Sequence, residues 1–213
     1  VGRLKAAAQE REALERVRDL SFALDRLLAH ERFGARIDRK RIAAAGHSYG
    51  ANTVMLAAGA AVERGGRRLE LRDARIRAAV LLSAPPFYGE PDAKAILRGV
   101  TMPTLHITAT EDVINIPGYY SPASDRVAVF EAVGGPMKAL AVFEGGSHGI
   151  FTNRGGTGGD ELNPKVKAAT SELALAFLQR VFYGRDESLA RWPQTWGALL
   201  ARWTSPGKSA PAR

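Results

Sequence analysis

The segment Gly46-His47-Ser48-Tyr49-Gly50 sets a serine between two glycines. A serine hydroxyl is a weak nucleophile and does chemistry only when the backbone lifts it clear and a base takes its proton. The apolar run Arg41-Ile42-Ala43-Ala44-Ala45, a buried strand by its pattern, ends at Gly46. Residues 50–63, small and apolar on nearly every side, follow as a buried helix. Strand, sharp turn, helix is the context that G-x-S-x-G requires. The two glycines remove side chains that would collide across the turn. Ser48 Oγ then stands above the sheet at the positive end of the helix. The backbone N–H of Tyr49 points at an oxyanion developing on an attacked acyl carbonyl.

The base must be one of four histidines. His30 ends the first helix, and His47 lies inside the turn, where it should point away from Ser48. His106 sits within a buried strand and reads as a satisfied core residue. His148 follows a strand in the loop Glu144-Gly145-Gly146-Ser147-His148-Gly149 and is the candidate general base. A carboxylate must hold its tautomer and stabilise the imidazolium. Asp112 is the first choice and Glu111 the second, because only one of two successive loop carboxylates can face His148. The chain order Ser48, Asp112, His148 supports acyl transfer by a serine nucleophile. That chemistry needs no cofactor and no metal.

These residues need elements to carry them. Leu14, Val17, Leu20, Leu24 and Leu27 recur at helical spacing, which predicts an amphipathic helix over about residues 3–30, stopping near Gly34. Strands are predicted at 41–45, 76–82, 104–108 and 138–143, with helical or loop segments near 91–98 and 122–132. Asn163-Pro164 reads as a helix start, with Asn as N-cap and Pro at the first helical position. Its stripe Val166, Ala169, Leu173, Phe177, Val181 ends before Gly184. A last helical segment bearing tryptophans spans about 186–203. Strands alternating with helices imply a mostly parallel sheet covered on both faces, with reactive groups at the strands' carboxyl ends. Ser48, Asp112 and His148 each lie there.

Composition narrows the function further. The 213 residues contain no cysteine, which excludes a disulfide framework, a thiolate nucleophile and Cys-ligated metals. No run of eighteen apolar residues is present to span a membrane. The net charge of +8 comes from 30 basic residues against 22 acidic ones. The basic residues are scattered among acidic ones and do not alternate with aromatics, so a solvated surface is expected and not a nucleic-acid partner. Ser83-Ala84-Pro85-Pro86-Phe87-Tyr88 follows the second strand, and Pro85 and Phe87 are candidate pocket residues. The stretch Asn153 to Asp160 lacks the Lys-Ser/Thr ending of a phosphate cradle and reads as a mobile loop. Trp192, Trp196 and Trp203 read as a packing edge. Residues 1–204 are expected to form the C-terminal catalytic portion of one domain, and residues 205–213 a disordered tail.

Three stretches carry a resemblance: Asp38 through Gly50, Leu105 through Asp112, and Gly145-Gly146-Ser147-His148. Over about residues 15–182 the chain resembles bacterial serine esterases of the α/β-hydrolase superfamily, in the dienelactone-hydrolase-like and platelet-activating-factor-acetylhydrolase-like group. The resemblance implies hydrolysis of small-molecule carboxylic esters through an acyl-enzyme, with Ser48, Asp112 and His148 as triad. Two departures stand out: dienelactone hydrolases use a cysteine nucleophile, which is absent, and Ala51 stands where glycine often follows the turn. A peptidase, thioesterase or polyester hydrolase would use the same fold. A degenerate hydrolase kept for binding is the non-catalytic alternative. In the resembling fold several strands precede the nucleophile strand, and one of their loops supplies the second oxyanion donor. Only one helix and one strand precede Ser48 here. A missing or separately supplied N-terminal segment is therefore expected beside strand 41–45.

Overall fold

Short runs of Ala, Val, Ile and Leu make the centre of the molecule. The computed structural model describes residues 10–64, 66–152 and 159–207. In it β1 (Ile42–His47), β4 (Ile76–Leu82), β5 (Thr104–Glu111) and β8 (Lys138–Ser147) form a parallel ladder. The short strand β9 (Leu200–Thr204) adds to it antiparallel, giving the order β1-β4-β5-β8-β9. The register runs Ala45 to Val80, Leu81 to His106 and Leu105 to Ala139. Strands buried on both faces need no alternation of polar residues, which is why these runs read as continuous apolar segments.

The two faces carry separate cores. On one, α1 (Glu10–Ala29), α2 (Tyr49–Ala58), α3 (Ala93–Leu97) and α4 (Ser124–Ala132) bury Val17, Met55, Leu56, Leu97 and Val129 with Ile76, Ala79 and Leu81 of β4. On the other, α5 (Gly159–Tyr183) and α6 (Glu187–Trp196) bury Val166, Leu173, Phe177 and Trp192 against Leu105, Ile107 and Phe143. The alternation along β4 assigns Leu81 to one face and Val80 to the other.

The structure differs from the sequence reading in particular places. The tryptophan segment is not one helix: α6 ends at Trp196, and Trp203 lies on β9. There its ring stands 5.1 Å from that of Trp192, so side-chain packing with a period unlike a helix's set the spacing. The buried helix stops at Ala58, where Gly59 takes a left-handed φ of 117°, and a hairpin of β2 (Ala61–Arg64) and β3 (Arg67–Glu70) follows. A second hairpin, β6 (Ile114–Ile116) and β7 (Tyr119–Ser121), follows directly after Asp112. Helix α5 begins at Gly159, not at Asn163, whose Nδ2 donates to the Ile150 carbonyl instead of capping. On α1, Leu28 is buried and Leu27 is 46% exposed, so the stripe turns by one position at its end. The expected start of that helix at 3–9, the loop 153–158 and the tail from 208 lie outside the described residues.

Among the described residues β1 pairs with β4 alone, and Ala43 and Ala45 are exposed. The expected neighbour on the other side of this strand is not supplied by these residues. No described helix is long and apolar enough to cross a membrane.

Helix α1 is held to the sheet by a polar clamp. Arg75 Nε and Nη2 donate to Asp73 at 2.8 and 2.6 Å, Arg75 also pairs with Asp25, and Ser21 Oγ donates to Asp73 Oδ2 at 2.9 Å. The hydrogen bonds from Arg75 pull the Asp73 carboxyl down from 3.8 to about 2, against the opposing effect of its burial. A carboxyl whose folded pKa is depressed stabilises the fold above its unfolded value and loses that contribution as pH falls through the folded one. About 2 kcal/mol is expected to vanish between roughly pH 4 and pH 2. Urea unfolding of the protein and of Asp73→Asn checks this. The two should differ by about this amount at pH 6 and converge near pH 2, and a gap unchanged with pH would contradict it.

Candidate active site

The turn after β1 needs Gly46 for a steric reason. A Cβ there would sit 2.3 Å from the Gly50 carbonyl oxygen and 2.7 Å from the Ala51 nitrogen. Gly50 is different: nothing described lies within 4 Å of a Cβ at that position, so only one of the two glycines is required by close approach. Ser48 has φ 55° and ψ −125°, a conformation that costs free energy in a residue with a side chain. The cost is met by local bonds, Ser48 N–H to the Leu82 carbonyl at 2.9 Å and Ala51 N–H to the Ser48 carbonyl at 2.8 Å. Tyr49 opens α2 directly after.

At the far end of β8, Gly145 and Gly146 take φ values of 68° and 85°. A side chain at Gly146 would meet Ile150 at 2.4 Å. The chain can therefore bend sharply there and turn His148 back over the sheet. A register shift between Ala109 and Glu111 brings Glu111 opposite Ser147, and with it Asp112 next to His148. Of the two successive carboxylates, Glu111 is exposed and Asp112 is fully buried.

The three side chains then meet in a line. His148 Nε2 lies 2.7 Å from Ser48 Oγ, and His148 Nδ1 lies 2.7 Å from Asp112 Oδ1. The other Asp112 oxygen accepts from Thr108 Oγ1 at 2.7 Å. Burial alone would push the Asp112 carboxyl up. Hydrogen bonding from His148 and the Thr108 hydroxyl, with the Ser83 hydroxyl dipole nearby and the charge of Arg126, outweighs it and holds this carboxyl below the usual range. A carboxylate accepting at Nδ1 fixes the proton there and leaves Nε2 as an acceptor for the serine proton. The arrangement can thus deprotonate a serine during attack on an acyl carbonyl and carry the proton to a leaving group.

The remaining histidines separate by environment. His106 is buried, its Nε2 lies 3.2 Å from Thr104 Oγ1, and its ring stands edge-on to Phe130. Burial, with the Lys138 charge nearby, pushes it down to about 3, so it is a neutral core residue. His47 does not simply turn away from the site. Its Nε2 meets the His148 carbonyl oxygen at 2.9 Å and its ring lies 5.0 Å from the His148 ring, so it fastens the loop carrying His148. Sequence reasoning missed this, as it missed Thr108, Ser83 and Arg126 around Asp112. Ser83 has one signal in the sequence, its place directly after β4, and its φ of 49° makes it the second non-glycine residue in left-handed backbone.

A cavity beside the turn is lined by Tyr49, Asn52, Leu56, Val62, Phe87 and Tyr88. Phe87, a candidate pocket residue, faces it; Pro85 is buried nearby without lining it. Trp192, Trp196 and Trp203 lie away from the site, and Trp192 donates to the Ala169 carbonyl at 2.9 Å. No cluster of three metal-ligating side chains occurs among the described residues.

No protein-family model matches the chain, and no curated protein does. Solved structures are similar to it. The acylaminoacyl peptidase of Pyrococcus horikoshii superposes with a TM-score of 0.55 at 18% identity, covering 84% of this chain and 30% of the peptidase. Puromycin hydrolase gives a TM-score of 0.48 at 18% identity over 73% of this chain and 23% of its own length. This chain therefore spans less than a third of the length of either protein. The parallel β1-β4-β5-β8 ladder with helices on both faces, together with the peptidase superposition, shows that the chain has the α/β-hydrolase fold.

Proposed function

We propose that this protein is a serine hydrolase that cleaves carboxylic esters through an acyl-enzyme. The observation that carries the reading is the unbroken Ser48–His148–Asp112 line, with both contacts at 2.7 Å. Ser48 Oγ attacks the ester carbonyl as His148 Nε2 takes its proton. The oxyanion is held by the Tyr49 N–H at the positive end of α2. His148 then gives the proton to the leaving alcohol, and water reverses the sequence to free the acid. Asp112 stays ionised throughout and stabilises the imidazolium. Phe87 lines the neighbouring pocket and shapes it. The reading extends to the dienelactone-hydrolase-like group, with residues 1–204 as the catalytic portion of one domain. A further segment laid along the open side of β1 would bring the second oxyanion donor, which is worth roughly a hundred- to a thousand-fold in rate.

A peptidase is the second reading, favoured by the superposition with the acylaminoacyl peptidase. The same three groups cleave amides when the pocket holds an acylated peptide. A panel of p-nitrophenyl acyl esters and acyl-peptide anilides decides between them, after a fluorophosphonate label has been located by mass spectrometry. Labelling at Ser48 with turnover of the esters in preference to the anilides is expected. Preference for the anilides would move the assignment to the second reading. Neither label nor turnover would sink both and leave a binding protein.

A further inference from the structure

We propose that Arg126 is a positioning residue for the Ser48–His148–Asp112 line, keeping the Asp112 carboxylate charged and aimed while offsetting part of its pull on the His148 proton. The proposal rests on the serine-hydrolase reading of that line.

Arg126 lies on α4, two elements away from Asp112 in the chain, and is 2% exposed. A buried guanidinium is strongly unfavourable unless an opposite charge compensates it. Its Nη1 donates to Ser121 Oγ and to the Pro122 carbonyl, the latter at 3.3 Å. Its Nε lies 3.5 Å from Asp112 Oδ1, an ion pair without a hydrogen bond, and Nε and Nη2 have no hydrogen-bond partner among the described residues. Hydrogen bonds thus leave the group only half satisfied. The charge that compensates it is Asp112, which is itself fully buried. Asp112 Oδ1 is also the oxygen that accepts from His148, so one oxygen atom is shared between an imidazole and a guanidinium.

Ser121 makes the anchor rigid. Its hydroxyl accepts from Arg126 and donates to Asp125 Oδ2 at 2.6 Å, which uses a hydroxyl's single donor and an acceptor site consistently. Ser121 closes the β6–β7 hairpin that begins just after Asp112, so Arg126 ties both ends of this hairpin together. The other titratable groups facing the cluster are few. Asp125 is held by Ser121, and Tyr119, from β7, has its phenol pushed up by burial, with Ser121 and Arg126 opposing that push. On the far side, the His47 ring lies beside His148, and Glu111 faces solvent.

The proton that His148 takes from Ser48 is steadied by Asp112 Oδ1, the oxygen that also faces the Arg126 guanidinium. A fixed positive charge at 3.5 Å from the shared oxygen weakens the carboxylate's hold on that proton. Removing the guanidinium charge should therefore strengthen the carboxylate's hold on the imidazolium.

The test is the second-order rate of Ser48 labelling by a fluorophosphonate as a function of pH, which needs no knowledge of the natural substrate. In Arg126→Met the acid limb of this profile should move to higher pH by about one unit. In Arg126→Lys the charge remains and the limb should stay in place. The plateau rate should fall roughly tenfold there, because an ammonium group cannot reach Ser121 and Asp112 together. A Met variant that loses thermal stability with its limb unmoved would show a purely structural role and overturn the inference. If the Met variant does not accumulate folded, the Lys variant decides: a wild-type plateau overturns the inference, and a lowered plateau with an unmoved limb supports it. A wild-type protein that takes no label at Ser48 would overturn the functional reading and this inference with it. A labelled wild type with an unmoved Met limb overturns this inference alone.

Discussion

In Ser48→Ala, ester turnover is expected to fall by roughly 10⁴- to 10⁶-fold at neutral pH. Only the hydroxyl is lost, and the proposed chemistry has no second nucleophile: the protein contains no cysteine. The turn should survive, because it is set by Gly46 and by the backbone bonds to Leu82 and Ala51, none of which uses Oγ. Circular dichroism should match the parent, and fluorophosphonate labelling should disappear. A folded variant with more than about a hundredth of parental turnover would show that another group carries the reaction, since removal of the nucleophile leaves only the far smaller catalysis of the oxyanion site.

Asp112→Asn is expected to lower kcat/KM by about 10⁴-fold near neutral pH, the size of effect that follows from holding the wrong histidine tautomer. An amide in place of the carboxylate can donate to His148 Nδ1, which puts the remaining ring proton on Nε2. There it faces Ser48 Oγ, 2.7 Å away, and cannot accept from it. The substitution also leaves Arg126 without its charge partner, so a loss of about 3–5 kcal/mol in stability should accompany the kinetic one. Glu111→Gln is the matching control: Glu111 is exposed, and its substitution should change turnover by no more than a few-fold. Steady-state kinetics on both variants checks the pair, and a larger defect in Glu111→Gln would reverse the choice between the two carboxylates.

How much could be read in advance depended on the range of the interactions. Strands β1, β4, β5 and β8 were legible within a few residues because each is a short apolar run buried on both faces, a property that local sequence records. The hairpins at 61–70 and 114–121 and the strand β9 were not. They are short, polar or mixed in pattern, and become strands only by pairing with a neighbour. Asn163-Pro164 looked like a helix start because it carries that local chemistry. The Asn163 side chain was claimed instead by the Ile150 carbonyl, a contact between segments.

The site divides in the same way. By itself the sequence determined that Ser48 follows an apolar strand within a glycine turn, that His148 and two carboxylates stand just past other strands, and that the order along the chain suits acyl transfer. These are properties of neighbours along the chain. Only the tertiary structure decided which carboxylate meets His148, because a register shift between β5 and β8 turns Asp112 inward and Glu111 outward. It also decided that only Gly46, of the two glycines, is crowded by backbone. It set His47 against the His148 carbonyl and brought Arg126 from α4 to the back of Asp112. An arginine in a short helical segment carries no mark of burial along the sequence. Its compensation comes from a carboxylate fourteen residues earlier, and folding alone brings the two within ion-pair distance.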